Sequence, residues 1–478
     1  MAGIIDADIC IIGAGSGGLS VAAGAAQLGR KVVLIEKHRM GGDCLNTGCV
    51  PSKALLVAGK VAQTIRTAGR FGITGGEPVV DFAKVHGHVH GVIAAIEPND
   101  SVERFTGFGV RVIQAAARFT GPDTVETDKG DRIRAKRFVI ATGSRAAVPP
   151  IPGLETVPYL TNETIFERTE APGHLLVVGG GPIGIEMAQA HRRLGARVTV
   201  LDRGTIMPKD DPELVAVVRA ALVAEGITLR EGVSPARVEA TAEGGVVVIL
   251  TTPAGEERVE GTHLLVAAGR KANVDGLGLE AAGIPYSPRG ITVDAGLRST
   301  GNRRVYAVGD VAGGPQFTHV AGYHAGIVIR SMLFKLPAKV DYKALPWVTY
   351  TDPELANVGL TEAMAREKHG DGVRTVRWTL HENDRAQAER ETEGFAKLVL
   401  DAKGRILGAG IVGPHAGDLI QPWALAITAG LKLSAFTSMI APYPTLGEVN
   451  KRAAGAWFTP TLFAERTRKL IAFLWRFT

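Results

Sequence analysis

The sequence contains few cysteines and no long apolar run. Of its 478 residues only three are cysteines, which is too few for a disulfide-stapled scaffold. No run of roughly eighteen apolar residues occurs, so no transmembrane helix is predicted. The N-terminus lacks a basic region followed by an apolar stretch and a cleavage site, and we therefore predict a cytoplasmic protein.

A concentrated charge of one sign is also missing. The formal net charge is +6, which is mild for a chain of 478 residues and does not favour nucleic-acid binding. Apolar residues make up 45% of the chain and charged residues 21%, as in ordinary globular proteins. At this length about two to four domains are expected.

Glycine, by contrast, is abundant, with 60 residues that lie largely in short clusters after apolar runs. The first cluster follows a predicted strand, Ile4–Ile12, and precedes an alanine-rich helix and a second strand that ends at Glu36. Its glycines are Gly13, Gly15 and Gly18. This order predicts a βαβ unit.

The second cluster repeats this design. A predicted strand at residues 175–178 precedes a helix and a further strand, Arg197–Leu201, which is followed by Asp202. Its glycines are Gly179, Gly181 and Gly184. The first glycine lies the same number of residues before the acid in both clusters, so the chain contains two βαβ units of one kind.

Each unit has the chemistry of a dinucleotide site. The first glycine permits a tight turn, the second lets a pyrophosphate approach the backbone, and the third allows close packing of helix on strand. The N-terminus of the helix offers free N–H groups to the phosphates, and the acid accepts hydrogen bonds from ribose hydroxyls. Two such motifs in strand–turn–helix context therefore predict two nucleotide sites.

Later segments are predicted to extend these sheets and then to form a separate domain. Apolar segments at residues 137–143, 264–270 and 305–310 have the pattern of buried strands that end in a turn. After about Leu345 the pattern changes to alternating strands at 395–400 and 406–412 and a long apolar helix at 418–430. We interpret this region as an α+β domain that begins near Pro346.

Cys44 and Cys49, which are separated by four residues, lie between the first βαβ unit and the next predicted helix. A zinc site would need further ligands, but Cys10 lies in a predicted buried strand and His38 has no recognisable ligand spacing, so no metal site is predicted. A structural disulfide would close too small a loop to add much stability. A redox-active pair is favoured, because the pair follows a dinucleotide unit and opens a helix whose N-terminus favours a thiolate.

The sequence resembles the flavin-dependent pyridine nucleotide–disulfide oxidoreductases, which include dihydrolipoamide dehydrogenase, glutathione reductase and mercuric reductase. The segment at residues 41–53, which contains both cysteines, is the most specific motif of this resemblance. The resemblance covers nearly the whole chain. It implies an α/β fold with two Rossmann-like dinucleotide-binding domains and a C-terminal α+β dimerisation domain. The implied domains are residues 1–153 with 274–345 for FAD, 154–273 for NAD(P), and 346–478 for dimerisation.

The resemblance also implies roles for individual residues. Cys49 lies against the flavin as the charge-transfer thiolate, and Cys44 is the outer thiol that meets the substrate. Lys53 lies beside the flavin N5 and pairs with Glu186. The residues implied to bind FAD are Gly13, Gly15, Gly18, Glu36, Lys53, Ala115, Thr142, Gly143, Asp310 and Thr318. Those implied to bind the nicotinamide nucleotide are Gly179, Gly181, Gly184, Asp202, Gly269 and Arg270.

Asp202 bears on the choice of nicotinamide nucleotide. A carboxylate at this position accepts from the 2′-hydroxyl of NADH and repels the 2′-phosphate of NADPH. The neighbouring Arg203 can pair with a phosphate and weakens the argument. NAD(H) is therefore favoured over NADP(H).

The C-terminal domain departs from the pattern of the dithiol–disulfide enzymes, which have a histidine followed by Pro-Thr and a glutamate. Here Tyr443 occupies the histidine position, and the glutamate is present as Glu448. A tyrosine is poorly matched to proton transfer at neutral pH. The resemblance associates tyrosine here with mercuric reductases, but this sequence lacks their C-terminal vicinal cysteines. Residues 384–386 are similar to mercuric reductases, and His381 is an alternative acid.

Three functions therefore remain open, and the sequence favours the first of them. The first is a dithiol–disulfide reaction on a small or protein-bound disulfide, like that of dihydrolipoamide dehydrogenase. The second is reduction of a metal ion, as in mercuric reductases. The third is electron delivery by a subunit that docks to a membrane or a partner complex, because residues 466–477 form a basic, amphipathic tail. We favour packing of this tail on the dimer. The family resemblance implies a homodimer, in which each active site borrows residues from the partner subunit.

Overall fold

The computed structural model describes residues 3–252 and 255–477. These residues form two compact units. The first contains the described residues up to Leu201 and those of Val233–Val340, and the second contains Asp202–Gly232 and the described residues from Asp341 onwards. The two units do not test the three predicted domains, whose boundaries stay predictions.

The first predicted βαβ unit is confirmed. Strand Ile4–Ile12 runs parallel to strand Val32–Glu36, and helix Ser16–Gln27 connects them. Strand Arg132–Ile140 lies parallel on the other side of Ile4–Ile12, and Val305–Ala307 pairs with it, as predicted. The sheet continues with Arg111–Gln114 beside Val32–Glu36, and with Thr124–Thr127 and Ala117–Gly121 beyond Arg132–Ile140.

Both faces of this sheet are buried, which explains the uninterrupted apolar runs of its strands. Ile9 and Ile11 face one hydrophobic cluster, whereas Cys10 and Ile12 face the other. Burial raises the pKa of the Cys10 thiol. Cys10 is therefore an inert core residue, as its place in a predicted buried strand indicated.

The second βαβ unit is also confirmed. Strands His174–Val178 and Arg197–Leu201 are parallel, and helix Pro182–Arg193 connects them. The segment predicted at 264–270 forms strand His263–Val266, which pairs parallel with His174–Val178 and with Tyr159–Leu160. An antiparallel sheet contains Ser234–Ala240, Val246–Thr252 and Gly255–Gly261, and small ladders join Ser144–Ala146 to Arg270–Ala272 and Tyr286–Ser287 to Gly290–Ile291.

The second compact unit contains an antiparallel sheet. Its order is Pro346–Thr349, Glu354–Gly359, Ile406–Gly413, Phe395–Leu400 and Arg374–Thr379, so both predicted strands are confirmed. The single helix predicted at 418–430 is wrong, because this segment forms two helices, Ala416–Leu419 and Gln421–Ala429. Pro422 lies in the first turn of the second helix, and a proline interrupts a continuous helix because it lacks an N–H and clashes with the preceding turn.

A buried ion-pair cluster joins three elements of this unit. Lys397, with 3% of its side chain exposed, lies on strand Phe395–Leu400. Its Nζ lies 2.8 Å from Asp211 Oδ2, 2.9 Å from Glu213 Oε1 and 2.6 Å from Glu362 Oε2. Burial lowers the pKa of Lys397, but the three carboxylates outweigh burial and raise it.

Further helices complete the two units. In the first unit they are Gly42–Asn46, Cys49–Thr67, Phe82–Ile96, Val102–Gly107 and Thr318–Met332. In the second unit they are Pro212–Ala224, Glu362–His369, Asp384–Glu389, Ser434–Ser438, Glu448–Leu462 and Glu465–Leu474, and a short strand occupies Thr228–Arg230. Across residues 3–252 and 255–477, every helix is too short or too polar to cross a membrane.

Candidate active site

The first glycine turn has the packing expected of a dinucleotide site. Gly13 has φ +103°, and a Cβ on Gly18 would lie only 1.9 Å from the Gly13 carbonyl oxygen. These two glycines are therefore required by the close approach of helix to strand. At Gly15 the nearest atom to a Cβ would be 3.8 Å away, in ordinary contact, so the middle of the turn remains open to a ligand.

The second glycine turn repeats this geometry. Gly179 has φ +115°, and a Cβ on Gly184 would lie 2.0 Å from the Gly179 carbonyl oxygen. At Gly181 a Cβ would meet nothing within 4 Å among the described residues. Both turns thus combine two tightly packed glycines with an open one at the start of a helix, where a phosphate binds.

Glu36 ends the second strand of the first unit and is buried. Its Oε2 accepts a hydrogen bond from the Ala14 N–H at 2.7 Å, and its Oε1 accepts one from the His38 N–H at 2.8 Å. Each carboxylate oxygen retains a second lone pair that can accept from a ribose hydroxyl. The backbone thus orients the acid that the motif assigns to adenosine binding.

The cysteine segment packs directly against the first glycine turn. The Gly41 N–H donates to the Ala14 carbonyl at 2.9 Å, and a Cβ on Gly42 would lie 2.7 Å from the Gly15 Cα. Cys44 then lies on the short helix Gly42–Asn46, and Cys49 is the first residue of helix Cys49–Thr67. The predicted proximity of the cysteine pair to the first nucleotide turn is therefore present.

All three cysteines are free thiols, and Cys44 and Cys49 titrate very differently. A hydrogen bond from the Cys44 side chain lowers the pKa of Cys49 to about 6, against the effect of burial, and Thr318 and Lys53 act in the same direction. Cys49 Sγ lies 3.3 Å from Thr318 Oγ1. The same hydrogen bond and burial raise the pKa of Cys44. Cys49 is thus the thiolate of the pair and Cys44 the thiol.

Lys53 and Glu186 form the ion pair that the family resemblance implied. Lys53 Nζ lies 2.8 Å from Glu186 Oε2, and Glu186 is buried. Lys53 lies one helical turn after Cys49, on the same helix, and the lysine charge lowers the pKa of Cys49. The role of this pair beside a flavin stays a prediction.

Arg270 connects residues from three parts of the first unit. Its Nε donates to Ser144 Oγ at 2.7 Å, and its Nη2 lies 3.1 Å from Asp43 Oδ2. Ser144 Oγ in turn donates to Asp310 Oδ2 at 2.5 Å, and Arg270 Nε lies 3.8 Å from the same oxygen. Burial raises the pKa of Asp310. Arg270 therefore lies with Asp310, which the resemblance assigns to FAD, and its predicted nicotinamide role stays a prediction.

The remaining residues predicted to bind FAD lie at strand ends and at a helix start. Thr142 Oγ1 donates to the Asn273 carbonyl at 2.7 Å, and the Asn273 N–H donates to the Gly143 carbonyl at 3.0 Å. The Ala115 N–H donates to the Glu36 carbonyl at 2.9 Å, and Thr318 begins helix Thr318–Met332. Open space at Gly15, the oriented Glu36 and the Asp310 carboxylate fit the pyrophosphate, ribose and ribityl groups of FAD.

The predicted nicotinamide residues outside the glycine turn lie in both units. Gly269 has φ +120° and accepts a hydrogen bond from the Ala147 N–H at 2.9 Å. Asp202 belongs to the second unit, where its Oδ1 accepts from the Gly204 N–H at 2.7 Å. Asp202 thus begins a turn directly after strand Arg197–Leu201. At this position the acid of the motif accepts hydrogen bonds from the ribose hydroxyls.

Tyr443 lies in the second unit, as does Glu448. Its hydroxyl donates to Asp384 Oδ2 at 2.9 Å, and this hydrogen bond raises the pKa of Tyr443. Glu448 begins helix Glu448–Leu462. His381 is exposed, and its carbonyl accepts from Gln387 Nε2 at 2.6 Å.

Sequence reasoning missed several partners of these groups. Asp43 accepts hydrogen bonds from Thr47 and Asn162 and pairs with Arg270, and the signal available was only its place beside Cys44. His86, His90 and Glu167 form a group that could hold a metal ion, and the i, i+4 spacing of the histidines on helix Phe82–Ile96 was the missed signal. His90 Nε2 also lies 3.2 Å from the Phe166 carbonyl oxygen.

Known proteins match this chain over most of its length. Residues 7–325 match the model of the pyridine nucleotide-disulphide oxidoreductases, and residues 345–454 match the dimerisation domain of the same family. A mercuric reductase of Streptomyces lividans is 37% identical over 94% of this chain and 95% of its own. A dihydrolipoyl dehydrogenase of Geobacillus stearothermophilus is 35% identical over 94% of this chain and 96% of its own.

A solved structure is similar as well. The HOCl-induced flavoprotein disulfide reductase RclA of Escherichia coli superposes with a TM-score of 0.84 at 26% identity, covering 94% of this chain and 99% of that chain. The dimerisation-domain match supports a homodimer, and the family binds FAD and uses NAD(P)H. The glycine turns, the Cys44–Cys49 pair and these matches agree. The chain therefore belongs to the pyridine nucleotide-disulphide oxidoreductase family.

Proposed function

We propose that the protein is an NADH-dependent flavoprotein reductase whose Cys44–Cys49 dithiol passes two electrons to a thiophilic metal ion such as Hg(II). The observation that carries this proposal is the hydrogen bond from the Tyr443 hydroxyl to Asp384. It leaves a neutral hydroxyl, with a raised pKa, at the position where disulfide-reducing relatives have a proton-transferring histidine.

Reduction of the Cys44–Cys49 pair depends on residues of the first unit. The first glycine turn and Glu36 would hold FAD, which would supply the cysteine pair with electrons taken from NADH. Cys49 remains a thiolate because the Cys44 thiol hydrogen-bonds to it and Lys53 lies nearby. Glu186 balances the lysine charge at 2.8 Å, which fixes the Lys53 ammonium in place.

Electron transfer from the cysteine pair to the acceptor needs no proton donor when the acceptor is a metal ion. A disulfide acceptor releases thiolates that must be protonated, whereas Hg(II) accepts two electrons and leaves as Hg(0). Re-formation of the Cys44–Cys49 disulfide releases the Cys44 thiol proton to solvent. The chain contains no cysteine apart from Cys10, Cys44 and Cys49, so the ion must reach this pair directly.

The similarities support this choice of acceptor. Mercuric reductases of Streptomyces lividans and Bacillus cereus are 37% and 38% identical to this chain. The similar structure of RclA is also known as a Cu(II) complex, with a TM-score of 0.83 at 27% identity. Thiolates are soft ligands and suit a soft ion such as Hg(II).

The proposal is tested by NADH oxidation with and without Hg(II), in the presence of excess small thiol. We expect Hg(II) to raise the rate at least tenfold in the native protein, and Cys44→Ser to remove this increase. Cys10→Ser is the matched control, because Cys10 is buried in the core and takes no part in the reaction. An NADH oxidation rate that does not respond to Hg(II) would refute the proposal.

Turnover of a small or protein-bound disulfide is the second candidate. The complete Cys44–Cys49 segment and the 35% identity to a dihydrolipoyl dehydrogenase favour it. It predicts rapid lipoamide reduction by NADH with the native Tyr443 in place. A lipoamide rate far below the Hg(II)-dependent rate rules it out as the main activity.

The preference for NADH rests on Asp202. Its carboxylate follows strand Arg197–Leu201 and is oriented by the Gly204 N–H, and a carboxylate in this position repels a 2′-phosphate. We expect kcat/KM to be higher for NADH than for NADPH. Asp202→Ala should lower the ratio of these two kcat/KM values at least tenfold. A native preference for NADPH would show that Arg203 decides the choice instead.

A further inference from the structure

The C-terminal tail, taken from here on with the whole of its helix as residues 465–477, presents apolar side chains to solvent. It consists of helix Glu465–Leu474 and a short 3-10 helix, Trp475–Phe477, and none of the residues in either helix is buried against the described parts of the chain. Trp475 is 76% exposed and Phe477 is 75% exposed. The apolar side chains that are exposed in this way are Leu470, Ile471, Phe473, Leu474, Trp475 and Phe477.

The tail separates apolar from basic side chains. Leu470, Ile471 and Leu474 have the i, i+1, i+4 spacing of one helix stripe, whereas Arg468 and Lys469 lie off this stripe. The tail contains four basic residues and one acid, and Lys469 pairs with that acid, Glu465, at 2.7 Å. A net positive charge of three therefore flanks an apolar stripe with a tryptophan at its end.

We propose that this tail binds the surface of an anionic lipid bilayer. A short helix with an apolar stripe, flanking arginines and lysines, and terminal aromatic residues lies in the plane of the interface, with the stripe among acyl chains and the cations near lipid phosphates. Ten helical residues extend about 15 Å, half the thickness of the hydrocarbon core, so the tail lies on the bilayer and does not span it.

The second copy of the chain is the rival occupant of this apolar stripe. The match to the family's dimerisation domain ends at residue 454, and the tail begins eleven residues later, outside the matched segment. Charge favours the bilayer, because the net charge of +3 on each tail is complementary to anionic lipid, whereas two identical tails that met would repel each other. A homodimer carries two such tails, and contact of both with one bilayer would strengthen binding.

The FAD-loaded dimer tests this proposal by co-sedimentation with phosphatidylcholine vesicles, prepared with and without phosphatidylglycerol. We expect binding at least tenfold stronger to the anionic vesicles, with a strong decrease at high salt, because each basic residue near an anionic surface adds to the attraction. Leu470→Glu with Leu474→Glu should lower binding at least tenfold. Val79→Glu is the matched control, since Val79 is 100% exposed and lies outside the tail.

Three results would overturn the proposal. The first is failure of the native dimer to bind anionic vesicles, and the second is binding that the Leu470→Glu and Leu474→Glu variant retains. The third is dissociation of this variant to monomers in light scattering, which would assign the stripe to the dimer. Neither readout depends on the electron acceptor, so the metal-ion reductase proposal and this one fail independently.

Discussion

The hydroxyl of Tyr443 lies 2.9 Å from Oδ2 of Asp384 and donates a hydrogen bond to it. Tyr443 is 70% exposed, so its ring is accessible, but the carboxylate raises the pKa of the phenol by disfavouring the phenolate. Tyr443 therefore remains a neutral donor through the physiological pH range. It can bind or orient a group, but it cannot accept a proton as a histidine does.

Replacing Tyr443 with a histidine tests whether the tyrosine determines which electron acceptor the protein reduces. We expect Tyr443→His to raise the rate of lipoamide reduction by NADH at least about tenfold, because general acid–base catalysis contributes about 10² to 10⁴ in rate. The gain should follow a bell-shaped pH profile that the native protein lacks. Steady-state kinetics between pH 5 and 9 measure both.

The control for this change is Tyr443→Phe, which removes the hydroxyl without adding a base. It should leave lipoamide reduction at the native level. An equal increase in both variants would mean that tyrosine only obstructs the disulfide, and the proton-transfer argument would be wrong.

A second prediction concerns the pKa of Cys49, which is about 6 chiefly because the Cys44 side chain hydrogen-bonds to it. Cys44→Ala removes this donor, so the pKa of Cys49 should rise towards the ordinary thiol value of about 8.5. The long-wavelength thiolate–flavin band should accordingly appear at higher pH. Absorbance titration of the FAD-loaded variant measures the shift.

Cys44→Ser is the matched control for this titration, because a serine hydroxyl can still donate to the thiolate. Its apparent pKa should lie below that of Cys44→Ala. If Cys44→Ala still titrates near 6, then Lys53 and Thr318 stabilise the thiolate without help from Cys44.

The glycine pattern predicted both βαβ units, because it records a local steric requirement. A side chain at Gly18 or Gly184 would collide with the turn that precedes it, so spacing alone reveals the packing. The single helix predicted at 418–430 is wrong for an equally local reason, since Pro422 interrupts it and apolar periodicity does not record a proline. Strand bounds differ from prediction by a few residues, as at Arg132–Ile140.

Long-range contacts were not predictable in this way. Arg270 meets Asp43 only because the fold brings together elements that are distant in sequence, and Lys397 meets its three carboxylates for the same reason. No local pattern records which cation faces which acid. The Lys53–Glu186 pair was anticipated only from the family resemblance. The acceptor of the Tyr443 hydroxyl was likewise visible only in the structure.

A third prediction separates an electronic role of Lys53 from a structural one. If its ammonium lies beside the flavin, Lys53→Met removes a positive charge and should lower the flavin midpoint potential. Glu186→Gln leaves that charge uncompensated and should raise it. We expect shifts of about 30 mV in opposite directions, equivalent to about 1.4 kcal/mol for a two-electron couple.

Spectroelectrochemical titration of the two FAD-loaded variants measures these shifts. A purely structural ion pair would give losses of stability of the same sign in both variants, with no opposed shifts in potential. Potentials that move in the same direction would therefore contradict the electronic role.

The last prediction concerns acid stability and His191, which is buried on helix Pro182–Arg193. Its Nδ1 donates to the Met187 carbonyl at 2.9 Å, and its Nε2 has no partner in the part of the chain that the structure describes. Burial lowers the pKa of His191 to about 4, from about 6.5 in the unfolded chain. The unfolded state therefore binds a proton first, and folding stability falls as the pH decreases from 6.5 to 4, by about 3 kcal/mol.

His191→Leu removes this proton uptake, so the decrease in thermal midpoint between pH 7 and 4.5 should be smaller than in the native protein. His88→Leu, at an exposed position, should retain the native decrease, whereas an unchanged decrease in His191→Leu would show that other groups govern acid unfolding.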